Sequence, residues 1–387
     1  MASVRRRSTG KPVVVVVGAG VVGLALGWRL AQRGADVSLF DRRTVGSGAS
    51  SAAAGMLATC AEAEPGEEAL VRLGRLSQSL WPDFAAELEQ TTGMAVDLRC
   101  EGTLVVALTV DDQARISHRL AFQKSLGLPV EWISAAEARR CEPHVAPGFA
   151  GALFSPEDHQ VDNRKLIVAL HRAALTAGAE VHEGRGVRQI IVDQDRAVGV
   201  ELEDGARLGA DMVVLAAGAW SRGIAGLPAA MRPPVRPVKG QSLALLMPAA
   251  APLLTHVLWG PNVYLVPRRD GRLILGATVE EKGFDATLTA GGVLALIEAA
   301  WRLVPAIEDL PLLETWVGHR PGSRDDAPIL GRGPLEGLVY ATGHHRNGIL
   351  LTPVTADLVA DVVLNGRVDP AIAAFGLDRF SPARAAE

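Results

Sequence analysis

The hydrophobic pattern opens on Val13 to Val17, five consecutive valines. An unbroken β-branched run of that length marks a strand buried on both faces. Glycines follow at 18, 20 and 23, then a helical pattern through about Arg33, with Gly34 as its stop. Val37 to Phe40 is a second apolar strand, ending at Asp41. A small-residue segment runs from Gly46 to Gly55. Further on, the pattern predicts a helix from Asp83 to about Gly93 after Pro82, and a strand over Gly102 to Val110. Leu208 to Ala219 reads as another buried strand. Val235 to Thr278 is β-rich, with Asp270-Gly271 as a hairpin turn and Pro233, Pro234 and Pro237 marking a boundary before it. Leu338 to Ala341 is a last buried strand, followed by Gly343 and a helix over Thr352 to Leu364. Strands and helices alternating at both ends of the chain predict an α/β fold built on a parallel sheet. The central β-rich part predicts a second, mixed-sheet domain, so the whole is α+β in organisation.

Gly18, Gly20 and Gly23 form Gly-x-Gly-x-x-Gly between that first strand and helix. The first glycine permits the tight turn, the second lets backbone approach a pyrophosphate, and the third lets helix pack on strand. Phosphates then sit at the helix N-terminus, where free N–H groups favour anions. Asp41 lies 18 residues after Gly23, close to the spacing of a ribose-binding carboxylate. Arg42 and Arg43 would suit a 2′-phosphate, but Asp41 keeps the position acidic, which favours an adenine dinucleotide without it. The fingerprint occurs once, so one dinucleotide is expected rather than two.

Composition narrows the function classes. Among 387 residues only 8 Phe, 7 Trp and 2 Tyr are aromatic, which excludes stacking platforms for single-stranded nucleic acid. A net charge of −4 offers no basic surface for a polyanion, so no nucleic-acid partner is expected. Cys60, Cys100 and Cys141 are odd in number and form no Cys-x-x-Cys, which points to a reducing cytoplasm without disulfides or a zinc ribbon. Arg5, Arg6 and Arg7 before the apolar stretch Val13–Trp28 imitate a signal peptide. Four glycines interrupt that stretch, and it is shorter than the roughly 20 residues a spanning helix needs, so no membrane association is expected. His319, His344 and His345 lack His-x-x-x-His or carboxylate pairing, and no metal is expected.

Several short segments carry a family resemblance when taken together. They are Ser51-Ala52-Ala53-Ala54-Gly55-Met56-Leu57, Pro237-Val238-Lys239-Gly240-Gln241 and Tyr264-Leu265-Val266-Pro267-Arg268. To these add Gly276-Ala277-Thr278, Arg320-Pro321-Gly322-Ser323 and Gly343-His344-His345-Arg346-Asn347-Gly348-Ile349-Leu350. Over nearly all of residues 13 to 380 the chain resembles the D-amino-acid oxidase superfamily of FAD enzymes, and within it the glycine oxidases of the thiamine pathway. The resemblance implies a discontinuous Rossmann-like FAD-binding domain over 11–85, 150–228 and 320–387. A substrate-binding domain is implied over 86–149 and 229–319. It implies FAD contacts at Gly18, Gly20, Val21, Val22, Gly23, Asp41, Arg42, Ala49, Ser50, Ala54, Gly55 and Met56. Val187 is implied near the adenine, with Gly218 as a further contact and the run His344, His345, Arg346, Asn347, Gly348, Ile349 and Leu350 at the flavin ring. The small residues 52 to 55 suit close passage of a flat ring. Gly343 and Gly348 are expected to flank the start of the last helix, whose N–H groups would stabilise charge on the reduced flavin.

The resemblance also implies a substrate site. Arg320 matches the residue that forks a substrate carboxylate, a task that suits a planar guanidinium. Arg346 matches a second arginine near that carboxylate, Tyr264 a hydroxyl that reaches the substrate, and Met56 and Ala58 line the pocket. Tyr340, the other tyrosine, reads as a core strand residue. Lys239 is a conceivable oxygen-activating cation, though its Pro-Val-Lys-Gly setting reads as a strand start. The implied reaction is oxidation of glycine, small N-alkyl glycines or D-amino acids by FAD and oxygen. It gives the imino acid or glyoxylate and hydrogen peroxide, with the glycine imine serving the thiazole of thiamine. The alternative is a D-amino-acid or N-substituted-glycine dehydrogenase passing electrons to a quinone or carrier. His345 departs from the aromatic residue common in relatives, and His319 from an apolar one. Related sarcosine oxidases attach FAD through a cysteine after the clamp arginine. No Cys follows Cys141, so the flavin is expected to be non-covalent. A homo-oligomer, a tetramer by resemblance, is expected.

Overall fold

The computed structural model describes residues 10–248 and 250–381. Arg5 to Arg7 of the signal-like pattern lie outside the described residues.

The valine run does form a buried central strand. Val13–Val17 pairs in parallel with Asp36–Phe40 on one side and Met212–Leu215 on the other. The six-stranded sheet runs Ile329–Arg332, Leu338–Thr342, Met212–Leu215, Val13–Val17, Asp36–Phe40, Glu180–His182. Only the edge strand Ile329–Arg332 is antiparallel to its neighbour. Helices Val21–Gln32, Asn163–Thr176 and Thr352–Asn365 pack together in the main core, with Leu24, Leu26, Trp28 and Leu30 wholly buried. A three-stranded antiparallel sheet of Val187–Asp193, Arg196–Leu202 and Arg207–Gly209 is attached beside it.

The second sheet has eight strands, in the order Leu312–Gly322, Arg236–Leu246, Arg272–Gly276, Val263–Pro267, Val257–Gly260, Thr103–Ala107, Gly151–Ser155, Glu131–Ser134. All its pairs are antiparallel except Val257–Gly260 with Thr103–Ala107. Gly151–Ser155 belongs to this sheet, paired with Thr103–Ala107. The division of the chain into two domains on these sheets remains our proposal.

Two elements, and the setting of Gly343 and Gly348, differ from the sequence pattern. The helix expected from Asp83 is Glu68–Thr92, 25 residues long, and Pro82 lies inside it. An interior proline costs about 3 kcal/mol through its missing N–H and its ring. Burial of Trp81, Phe84 and Leu88 on either side offsets that, with Phe84 edge-on to both Trp28 and Trp81 at 5.6 Å. The segment Leu208 to Ala219 is not one strand. Arg207–Gly209 sits in the antiparallel sheet, Met212–Leu215 in the parallel one, and a helical turn begins at Gly218. The last long helix starts at Thr352, so Gly343 and Gly348 bound a turn segment ahead of it instead of flanking its start. His345 in that segment has φ +45°. Tyr340 is a buried strand residue, its hydroxyl donating to the Met231 carbonyl at 2.5 Å.

Candidate active site

The carboxyl ends of the parallel strands open into a cavity of about 1000 Å³ that continues onto the face of the second sheet. That is the upper end of the roughly 300–1,000 Å³ typical of cofactor and ligand sites. Every residue singled out from the sequence as a cofactor or substrate contact lines it, except Gly23.

At the dinucleotide end, the turn after Val17 carries Gly18 and Gly20 onto the cavity wall, and the helix Val21–Gln32 points its N-terminus into it. Ser50 braces this end, its Oγ accepting from the Val21 N–H at 2.9 Å. Gly23 instead faces the turn: a Cβ there would lie 2.0 Å from the Gly18 carbonyl oxygen. Its role is the close packing of helix on turn, as the third glycine of the fingerprint requires. Asp41 is fixed by two backbone donors, Ala19 N–H to Oδ2 and Arg43 N–H to Oδ1, each at 2.9 Å. A carboxylate has about four acceptor positions, so two remain for ribose hydroxyls. Arg42 and Arg43 lie over the Trp220 ring, 4.8 and 5.0 Å from its centroid. Val187 and Gly218 complete this end with Arg188 and Glu203.

The small-residue segment forms a one-turn helix, Ala49–Ala52, turns at Gly55 and continues as the cavity wall through Met56 into a short strand. The turn His344 to Leu350 lines the same cavity. Leu350 is anchored from behind, since its carbonyl accepts from Ser77 Oγ at 2.6 Å and Trp81 Nε1 at 2.9 Å. Both donors lie on the long helix, so the burial that offsets Pro82 also places this wall. His344 is buried and shares a hydrogen bond with Thr355 Oγ1 at 3.1 Å.

Burial pushes the His344 imidazole down to about 4. Unfolded, it would titrate near its ordinary value of about 6.5. The unfolded chain therefore takes up this proton first. The stability His344 contributes is complete above about 6.5 and is lost as pH falls toward 4. His344→Gln is expected to flatten the fall of Tm across that window, measured by thermal unfolding from pH 7 to 4. A Tm profile that stays parallel to the parent's would contradict this.

The substrate end brings Tyr264, Arg320, Met56, Ala58 and Arg346 to one part of the cavity. Tyr264 comes from the strand Val263–Pro267 and Arg320 from Leu312–Gly322, two elements that do not pair directly. Arg320 Nη1 donates to the Thr278 carbonyl at 3.1 Å. Burial pushes the Tyr264 phenol above its ordinary value, opposed by the Arg320 cation beside it, with Ser242 also against its hydroxyl. The phenol therefore stays protonated and can donate. Arg346 is differently placed. Its Nε donates to Glu62 Oε2 at 2.6 Å and its Nη2 to Glu67 Oε2 at 2.8 Å. That pairing occupies much of its guanidinium, whereas the hydrogen bond found for Arg320 is to a carbonyl. His345 Nδ1 lies 3.8 Å from Asp326, and His319 shares a hydrogen bond with the Asp285 carbonyl at 3.0 Å. Lys239 is not on the cavity wall. It is fully buried, with Nζ donating to Asp285 Oδ2 at 2.8 Å and the Thr287 carbonyl at 2.7 Å. Its position is within the strand Arg236–Leu246, and contact with oxygen at the cavity is not supported.

Glu62, Trp220, Ser242 and Trp259 also line the cavity and were not singled out from the sequence. Nothing local marks them: a lone acid, a serine and two tryptophans acquire a role only when the sheets bring them together.

A dinucleotide turn, a fixed ribose acid, a wall of small residues and arginines at the far end suit FAD in chemistry. They define a flavin-dependent oxidoreductase. A family model, DAO, described as FAD dependent oxidoreductase, matches residues 14–362, and the chain belongs to that family. It is 39% identical over 370 residues to a glycine oxidase of Geobacillus kaustophilus, covering 95% of this chain and 96% of that protein. It is 38% identical over 370 residues to a bifunctional protein ThiO/ThiG of Trichormus variabilis, covering 95% of this chain and 55% of that one. The chain thus spans about half the length of such bifunctional relatives. Among solved structures, a crystal structure of glycine oxidase from Geobacillus kaustophilus matches with TM-score 0.88 at 38% identity, covering 96% of this chain and all of that one. An iminodiacetate oxidase from Chelativorans sp. BNC1 matches with TM-score 0.85 at 28% identity, covering 94% and 98%.

Proposed function

We propose that this chain oxidises glycine, and small N-alkyl glycines or D-amino acids, with oxygen as the electron acceptor. The imino acid forms, hydrolyses to glyoxylate and ammonia when released to water, and hydrogen peroxide is the other product. The observation that carries this reading is the meeting of Arg320 and Tyr264 at one end of the FAD cavity. The similarity to proteins named glycine oxidase supports it. Bound FAD would supply the two-electron acceptor for the α-carbon hydride and the route of those electrons to oxygen.

The chain's own residues bind and orient. Arg320 forks the substrate carboxylate through two parallel hydrogen bonds, and the Tyr264 hydroxyl donates to the same group. Holding the α-carbon in one attitude removes the entropy that a bimolecular encounter would lose. Met56 and Ala58 leave room for a small substrate. Arg346, paired with Glu62 and Glu67, lies at the same end of the cavity and adds positive charge near the carboxylate. Tyr264→Phe removes one hydrogen bond and is expected to lower kcat/KM by about 1–2 kcal/mol, or roughly 5- to 30-fold, with flavin content unchanged. Steady-state kinetics with glycine measure it, and an unchanged kcat/KM would remove Tyr264 from the substrate site.

The glycine imine is the form that the thiazole of thiamine requires, and we assign the chain to that supply. The similarity to ThiO/ThiG proteins supports the assignment. We further assign it to the cytoplasm, with non-covalent FAD. No helix among the described residues is long and apolar enough to cross a membrane. A homo-oligomer, a tetramer, is our proposal for the assembly. The apolar stripe of Leu294, Ile297 and Trp301 on the helix Ala290–Leu303 is exposed and suits such a contact. A profile of glycine, sarcosine and D-alanine under air, with peroxide detection, tests the function. Peroxide with glycine supports it; reduction of an artificial dye without peroxide would assign a dehydrogenase instead.

A further inference from the structure

Arg268 is buried, yet all four of its hydrogen-bond acceptors are neutral. Nη1 donates to Gln160 Oε1 at 3.1 Å and the Val161 carbonyl at 2.8 Å. Nη2 donates to the Ala54 carbonyl at 2.6 Å and Asn163 Oδ1 at 3.2 Å. Asp162 and Asp270 are nearby, but both carboxylates are ion-paired to Arg272. Burial pulls the Arg268 guanidinium down to about 10, so it keeps its charge at neutral pH.

The partners of Arg268 trace out one piece of chain. Asn163 passes the contact on, its Nδ2 donating to the Ser50 carbonyl at 2.8 Å and the Ser51 carbonyl at 3.1 Å. The carbonyls of residues 50, 51 and 54 are therefore all held by this pair. Gly55 comes next, with φ +71°. A Cβ there would lie 2.0 Å from the Val161 carbonyl oxygen and 2.9 Å from Arg268 Nη2. Gly55 lines the cavity, so the guanidinium lies immediately behind the wall. A purely structural donor at this place could be neutral, and burying a charge without an ionic partner is unfavourable. A cation in a low-dielectric wall acts strongly on any charge that develops beside it.

We propose that Arg268 is a positioning residue for the flavin. Its fork holds the segment 50–55 in the shape that fits the ring, and its charge favours the reduced, more negative state of the bound cofactor. This rests on the placement of the ring against Gly55 and Met56, and not on which amine is oxidised.

Two variants separate the fork from the charge. Arg268→Lys keeps the charge and loses the planar fork. Gln160→Glu keeps the fork and sets a carboxylate against Nη1, with no change of size. The readouts are the FAD dissociation constant of the apoprotein, by flavin fluorescence, and the midpoint potential of bound FAD, by equilibration with a reference dye. Neither depends on glycine turnover, so failure here is distinguishable from failure of the substrate assignment. Arg268→Lys is expected to bind FAD tenfold or more weakly, with a potential near that of the parent. Gln160→Glu is expected to bind FAD normally, with a more negative potential. Unchanged FAD affinity in the first, or an unchanged potential in the second, overturns the corresponding half. If Arg268→Lys fails to fold, Asn163→Ala tests the fork through the Ser50 and Ser51 carbonyls, with the same weakening of FAD binding expected and unchanged affinity overturning it.

Discussion

Arg320→Ala will be isolated yellow and nearly inactive. The guanidinium reaches the cavity from the strand Leu312–Gly322, donates to the Thr278 carbonyl and lies against the Tyr264 hydroxyl. A Tm measurement on the variant therefore separates a binding loss from a folding loss. A bound carboxylate would lose its counter-charge inside the cavity. Removing one partner of such a pair costs roughly 2–5 kcal/mol, or about 30- to several-thousand-fold in kcat/KM. Arg346→Ala should be milder in its effect on substrate binding, because its guanidinium is already satisfied by Glu62 and Glu67. Flavin content by absorbance and kcat/KM for glycine decide the matter. A near-normal kcat/KM in Arg320→Ala would show that the carboxylate binds elsewhere.

Gly23→Ala is expected to lose FAD altogether. The added methyl would lie 2.0 Å from the Gly18 carbonyl oxygen, and that neighbour is backbone, which cannot swing aside. Either the helix lifts from the turn or the turn opens, and both displace the N–H groups that would face the phosphates. Overpacking of this kind costs about 1–3 kcal/mol and occasionally more. The variant should therefore show a lower Tm and no saturable FAD fluorescence change. Gly291→Ala is the control, because a Cβ there meets nothing within 4 Å and lies in the helix Ala290–Leu303. It should be neutral or stabilising by up to about 1 kcal/mol. Tight FAD binding by Gly23→Ala would refute the packing role.

The parts of the fold legible in the sequence were those where one local rule decides. Five valines followed by three spaced glycines can hardly be anything but a buried strand feeding a helix. Asp270-Gly271 turned the chain between Val263–Pro267 and Arg272–Gly276 as a hairpin should. The helix Glu68–Thr92 was half hidden because Pro82 outweighs its neighbours locally, and only tertiary burial of Trp81 and Phe84 reverses the balance. Leu208 to Ala219 looked like one strand because two short strands in different sheets share a single apolar run. The residues lining the cavity were legible mostly through resemblance. Glu62, Ser242 and Trp220 were not, since their proximity to the site comes from sheet packing across long stretches of sequence. The pairing of Arg346 with Glu62 is of the same kind: residue type gave its charge, and only the fold gave its partner.

Anaerobic reduction of the bound flavin by glycine is the most direct test of the oxidase assignment. Glycine is added anaerobically to the purified FAD protein while the flavin absorbance is followed, and air is then admitted. The expected result is bleaching on glycine addition, followed on aeration by return of the yellow colour and one peroxide for each glycine consumed. Flavin that stays oxidised with glycine, sarcosine and D-alanine alike would contradict it.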